Sequence, residues 1–180
     1  MTDNDLIKNI RKRIIWAIGL RGWTDIAVAQ KAQPEQQGAS SGRSIFIQKI
    51  FDSRYGFAGR TMEYDEVDED FKSTESQVVE TTFQISVLAR QGFDPLKPTA
   101  ADILNHLAMA FSSAANIEEL LKVKLNILKI TQVRNELFDD DESRFEFHPN
   151  FDVIIVHNHE FNYTVPKVDH IKGQAVPVLP

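Results

Sequence analysis

Residues 76–91, SQVVETTFQISVLARQ, alternate, with Val79, Thr81, Phe83, Ile85, Val87 and Ala89 on one side and mostly polar residues, Glu80, Thr82, Gln84, Ser86 and Arg90, on the other. A strand turns successive side chains to opposite faces, so this pattern predicts a long strand with one buried face. Downstream, Pro95 and Pro98 interrupt the chain, and Thr99 with Asp102 three places on is close to a capping box for a helix burying Ile103, Leu104, Leu107, Ala108 and Phe111. A second short helix, Asn116 to Lys124, turns Ile117, Leu120 and Leu121 inward, with Glu118 and Glu119 near its positive amino-terminal end. The last third reads as strands: Ile127 to Arg134, Arg144 to Asn158 beyond an acidic turn, and Phe161 to Val165 after a tight turn at Asn158, His159 and Glu160.

Upstream, Asp3 or Asn4 caps a first helix whose Leu6, Ile7, Ile10, Ile14 and Ile18 form an apolar stripe, with Lys8, Arg11, Lys12 and Arg13 on its remaining surface. Gly19 or Gly22 ends it, and a short strand within Trp23 to Gln30 follows. Ile45 to Phe51 suits a strand that runs into a turn at Tyr55 to Gly59. The acidic stretch Glu63, Asp65, Glu66, Asp68, Glu69 and Asp70 must face water or a basic partner, because ionised carboxylates are not buried unpaired. The order implies an α+β fold: a mainly antiparallel sheet flanked by helices on one face. One domain spans residues 1–168, with a flexible loop at about 31–43 and an extended arm at 169–180.

The absence of cysteine excludes disulfides, thiolate metal sites and thiol nucleophiles. The amino terminus lacks the features of a signal peptide, and no apolar run reaches the roughly 20 residues of a membrane span, so no membrane partner is expected. A net charge of −6 disfavours general DNA binding, and the basic helix face lacks the aromatic interleaving of a nucleic-acid surface. His157 and His159, two apart on a strand, share a face, with His148 or Glu160 as conceivable further metal ligands. With no HExxH or similar motif beside them, they read as histidines near a turn, and no metal or cofactor is expected. Neither acidic run has the glycine-punctuated spacing of a calcium loop, and there is no GxSxG, phosphate loop or dinucleotide fingerprint. Catalysis therefore has no foothold, and a non-enzymatic protein is expected.

ETTFQISVLARQGFDP (80–95), PTAADILNHLAMAFSS (98–113), ILKITQVRN (127–135) and FEFHPNFDVIIVHNHEFNYTVPKVD (145–169), in this order, resemble the tail-terminator proteins of long-tailed bacteriophages, also called neck-terminator or tail-completion proteins. FDSRYGFAGR (51–60) agrees more loosely. The resemblance implies a virion protein at the tail–neck junction, assembled in the host cytoplasm. There a homohexameric ring would cap the head-proximal end of the tail tube and stop its polymerisation. Its implied partners are further copies of itself, the tail tube protein, the head-side connector and, in a contractile tail, the sheath, with DNA passing through the lumen without specific binding. A ring needs two unlike, complementary patches. The candidates are Lys8, Arg11, Lys12 and Arg13 against Glu63, Asp65, Glu66 and Asp68 of the next subunit, with Asp139, Asp140, Asp141 and Glu142 as possible lumen acids. A head-to-tail connector or tube-like protein is the alternative, and a metal-dependent enzyme built on the histidines is a more distant one.

Overall fold

The computed structural model describes residues 1–30, 43–67, 70–89, 97–139 and 145–166; the side chains of 136–139 and 145–147 are outside that description. The expected loop at 31–42, Arg90 and Gln91 at the end of the long strand, the acids Asp68, Glu69, Asp140, Asp141 and Glu142, and the arm at 169–180 all lie outside the described residues. Helix α1 (Asp3–Gly19) is followed by strands β1 (Ile26–Gln30), β2 (Arg43–Arg54), β3 (Gly59–Asp65) and β4 (Asp70–Leu88). Helices α2 (Ala100–Phe111) and α3 (Ala114–Lys122) come next, and β5 (Asn126–Ile130), β6 (Arg134–Asp139) and β7 (Phe145–Val165) close the chain.

The sheet is built from two long hairpins. Strand β2 pairs with residues 79–88 of β4 and β3 with residues 70–76 of the same edge, so β2 and β3 run end to end along β4. In the second hairpin β5 and β6 run end to end along β7 in the same manner. The two long strands, β4 and β7, pair antiparallel from Phe71↔Val165 to Ser86↔Asn150 and form the spine. β1 joins the edge of β2 in parallel, which makes the mainly antiparallel sheet a mixed one.

In β4, Thr82 and Ser86 on the far face are buried, so the strand is not covered on one face alone, but Val79, Thr81, Phe83, Ile85 and Val87 are buried as the alternation predicts. Register places Ile45 and Ile47 of β2 and Phe151, Val153 and Ile155 of β7 on the same face, where they pack against the helices. Leu6, Ile10, Ile14 and Ile18 of α1 and Ile103, Leu104, Leu107 and Phe111 of α2 supply the facing layer, as their spacing predicts. Thr99 and Asp102 form the expected capping box, each accepting a hydrogen bond from the other's backbone N–H at 3.1 and 3.0 Å.

Four expectations are corrected. α1 is capped by Thr2, one residue earlier than expected, because Asp5 stands three places on and completes a capping box there. α3 begins at Ala114 on a Ser113 cap, which turns Asn116 and Leu120 inward and leaves Leu121 exposed. The acidic stretch is no plain loop, since Arg60, Met62 and Tyr64 alternate with Thr61, Glu63 and Asp65 and make the strand β3. Finally, there is no turn at 158–160: Asn158, His159 and Glu160 pair with Val78, Gln77 and Ser76 in one continuous 21-residue strand.

Candidate assembly surfaces

On the solvent side of α1, Lys8, Arg11 and Lys12 are exposed with Ile15, all within one helical strip. Arg13 is not part of it. It is only 8% exposed, its guanidinium stacks 4.2 Å above the ring centroid of Trp16, and its Nε donates to Asn116 Oδ1 at 2.7 Å. Asn116, fully buried, in turn donates from Nδ2 to the Phe111 carbonyl at 3.0 Å. The guanidinium therefore ties α1 to α3 and to the end of α2, a structural task that sequence spacing assigned to the surface.

Of the expected acidic patch, Glu63 and Asp65 lie on β3 and Glu66 in the turn that follows. The patch is displaced from the core on a three-stranded extension formed by β3, residues 70–77 of β4 and residues 159–165 of β7. Lys72 forms an ion pair with Asp65 across this sheet. Asp139 ends β6 at the opposite end of the spine.

The histidines fall apart as a metal set. His157 and His159 share a face, whereas His148 and Glu160 occupy the other face by register, with His148 about 30 Å along the strand. Among the described residues no cluster of three or more His, Asp or Glu side chains is placed to hold a metal. His157 is buried at 6% exposure and belongs to a chain of polar contacts that sequence reasoning missed. Lys49 Nζ donates to Asp3 Oδ1 at 2.7 Å and Asp52 Oδ2 at 2.6 Å, Thr81 Oγ1 donates to Asp52 Oδ1 at 2.7 Å, and His157 Nε2 lies 3.0 Å from Thr81 Oγ1. This chain joins the start of α1 to three strands, where the helical cover ends. Burial pushes the Asp52 carboxyl up, but the hydrogen bonds from Lys49 and Thr81 together outweigh it and hold the group below its ordinary value.

Burial likewise pushes the His157 imidazole below its ordinary value. Between that lowered value and the ordinary one near 6.5 the unfolded chain binds more protons, so stability rises with pH through this window and is fully present above it. We expect the wild-type melting temperature to fall between pH 7.5 and pH 5, and His157→Gln to flatten that fall. An equal fall in the variant, measured by thermal denaturation, would remove His157 as its cause.

A groove of about 440 Å³ between the end of α1 and α2 is lined by Arg21, Trp23, Pro98, Asp102, His106 and Met109. Its polar groups have structural duties, with Asp102 in the capping box and His106 Nε2 donating to the Ala17 carbonyl at 2.8 Å. No nucleophile paired with a base stands in it.

The sequence matches the family model described as E217 gateway protein gp29 over residues 5–167. The chain belongs to this family. Among solved structures, the gateway-family fold seen here is similar to the PVC sheath/tube terminator of an extracellular contractile injection system in its extended state. The TM-score is 0.50 at 12% identity, over 99% of this chain and 65% of that one. The chain thus spans just under two thirds of that terminator's length. Nothing among curated proteins matches. The α+β terminator fold and the tail-terminator resemblance drawn from the sequence both stand on these findings.

Proposed function

We propose that this gateway-family protein is an architectural tail terminator: a homohexameric ring that caps the head-proximal end of a tail tube, stops its growth and joins the tail to the head-side connector. The observation that carries this reading is the family match over residues 5–167 on a chain whose fold is similar to part of a sheath/tube terminator. The role is mechanical. Unlike patches on one subunit complement each other around the ring, and no bond chemistry is needed. The protein would act in the virion tail, in contact with tube protein and, in a contractile tail, with sheath. Asp139 to Glu142 are assigned to the lumen, where negative charge repels the phosphates of passing DNA, and the arm at 169–180 to contacts with these partners. A head-to-tail connector is the second reading, favoured by the word gateway in the family's own description.

The ring interface is assigned to Lys8, Arg11 and Lys12 of one subunit against Glu63, Asp65 and Glu66 of the next, with Asp68 in the same run. Arg13 leaves that assignment because its reversal would break a buried bond before it reached a neighbour. Reversing Lys8, Arg11 and Lys12 to glutamate should weaken hexamers at least tenfold in native mass spectrometry without lowering the melting temperature. Hexamers of unchanged stability would sink this pairing. Electron microscopy of purified tail tubes mixed with wild-type protein separates the two readings, since a terminator caps tube ends and a connector leaves them bare.

A further inference from the structure

A strand at the edge of a sheet offers unpaired N–H and C=O groups to any other chain, and native edges are usually guarded by charge or a bulge. On one side of this sheet, β3 carries Arg60, Glu63 and Asp65, and the far half of β2 carries Lys49, Asp52 and Arg54 with a register shift. On the other side, β5 has Lys129 beside a register shift, and β6 begins with Arg134. β1 has none of these devices. Ile26, Ala27, Val28, Ala29 and Gln30 carry no charge and pair with β2 without interruption, and among the described residues no strand meets their other edge.

The chain itself contains a stretch that fits this edge. Ile171, Lys172, Gly173, Gln174, Ala175 and Val176 of the carboxyl-terminal arm include no acid and no proline, so every N–H is available to a ladder. Pro177 follows, and its missing N–H ends any pairing there. Val165, from which the arm departs, pairs with Phe71, whereas Gln30, the nearer end of β1, lies through Ile47 at the level of Ile85. The spine between Phe71 and Ile85 runs without a register shift for about 46 Å at the rise of a strand, and three strand spacings separate the two places as well. An extended chain from Val165 covers at most about 22 Å to Ile171 and about 40 Å to Val176. These residues therefore cannot add to β1 of their own subunit.

We propose that residues 171–176 of one copy add as a strand to the outer edge of β1 in the neighbouring copy. The proposal rests on the ring reading and names a backbone contact which that reading does not require. The charged pairing assigned above brings the two together. Phe71, the partner of Val165, pairs on its other side with Tyr64, between Glu63 and Asp65, so the arm leaves from the acidic tip assigned to the next subunit's α1. Within each subunit α1 packs against β1. A helix is about 10–12 Å across, within the arm's reach, so a tip docked on α1 delivers Ile171 to the β1 edge beside it. Charge at the tip sets the position, and main-chain hydrogen bonds add affinity. Pro177 ends the strand and leaves residues 177–180 to the tube and sheath contacts assigned above.

The test uses the full chain. Gln174→Pro with Ala175→Pro removes two successive N–H groups, one of which must face β1. This variant should keep its circular dichroism and melting temperature and lose about tenfold in self-association by analytical ultracentrifugation. The native chain has no cysteine, so Ala29→Cys and Ala175→Cys chains can be mixed with a short bifunctional maleimide, which tolerates a small shift of register. A linked dimer that forms with both chains together, beyond what either gives alone, supports the proposal. Chains that form rings without that dimer overturn it and leave the ring reading standing, as do variant rings as stable as wild type. Variant rings that form normally but no longer bind tail tubes give the arm to the tube and overturn it too. A wild-type chain that stays monomeric at every concentration overturns both the ring and the added strand.

Discussion

Phe151→Ala will destabilise the protein by about 3–5 kcal/mol, the usual loss for a buried phenylalanine truncated to alanine, through lost transfer energy and a cavity that closes incompletely. Phe151 has no exposed surface, pairs with Ile85 in the central β4–β7 ladder, and meets Phe111 of α2 edge-on at 6.4 Å between centroids. That edge-to-face contact is worth about 0.5–1.5 kcal/mol beyond its buried area. The cavity would open where the spine of the sheet meets the helical layer, with β-sheet neighbours held by their ladder and little able to collapse inward. Phe151→Leu keeps most of the volume and should cost no more than about 1.5 kcal/mol. Urea unfolding followed by circular dichroism measures both. A loss under about 1.5 kcal/mol for the alanine variant would mean that α2 is loosely seated on the sheet. Because whole domains are stable by about 5–15 kcal/mol, the alanine variant should also yield less folded protein at 37 °C.

How far the sequence can be read depended on whether a residue's neighbours were local. β4 was legible because a period of two over more than ten residues has no other reading, and the Thr99–Asp102 capping box because both partners are three residues apart. β7 was misread as a hairpin because Asn158, His159 and Glu160 look like a turn. They are polar because they enter the uncovered extension, where the partner strand supplies their hydrogen bonds and water their side chains. β3 was hidden by its acids, although Met62 and Tyr64 already alternate with Glu63 and Asp65. In the candidate site, Lys8, Arg11 and Lys12 were correctly placed on the surface, and Arg13 was not. Two residues, about half a helical turn, separate the solvated Arg11 from the buried Arg13, and what decides between them is Asn116, more than 100 residues away in sequence. The joint of Asp3, Lys49, Asp52, Thr81 and His157 was invisible for the same reason, since four elements contribute to it.

Asn116→Leu tests that long-range bond directly, and should cost about 2–4 kcal/mol. The substitution is close in size, yet it removes the acceptor of the Arg13 guanidinium and the donor to the Phe111 carbonyl together, both at a buried position. A charged donor left without its partner away from water is dearer than a neutral one, and the Trp16 ring beneath Arg13 compensates only in part. The sign of a double-mutant cycle then distinguishes polar mismatch from simple packing. If mismatch dominates, Arg13→Met added to Asn116→Leu removes the stranded charge, and the double variant will be more stable than Asn116→Leu alone. Coupling of about 0.5–3 kcal/mol is typical for residues in direct contact. If the cost is packing, the second substitution lowers stability further, and Arg13 is held by its methylenes over Trp16 rather than by Asn116. Because Arg13 joins the inner side of α1 to α3, the mismatch should reach the outer strip as well. In Asn116→Leu, amide exchange at Lys8, Arg11 and Lys12 should quicken before global unfolding, weakening any assembly that needs α1 rigid.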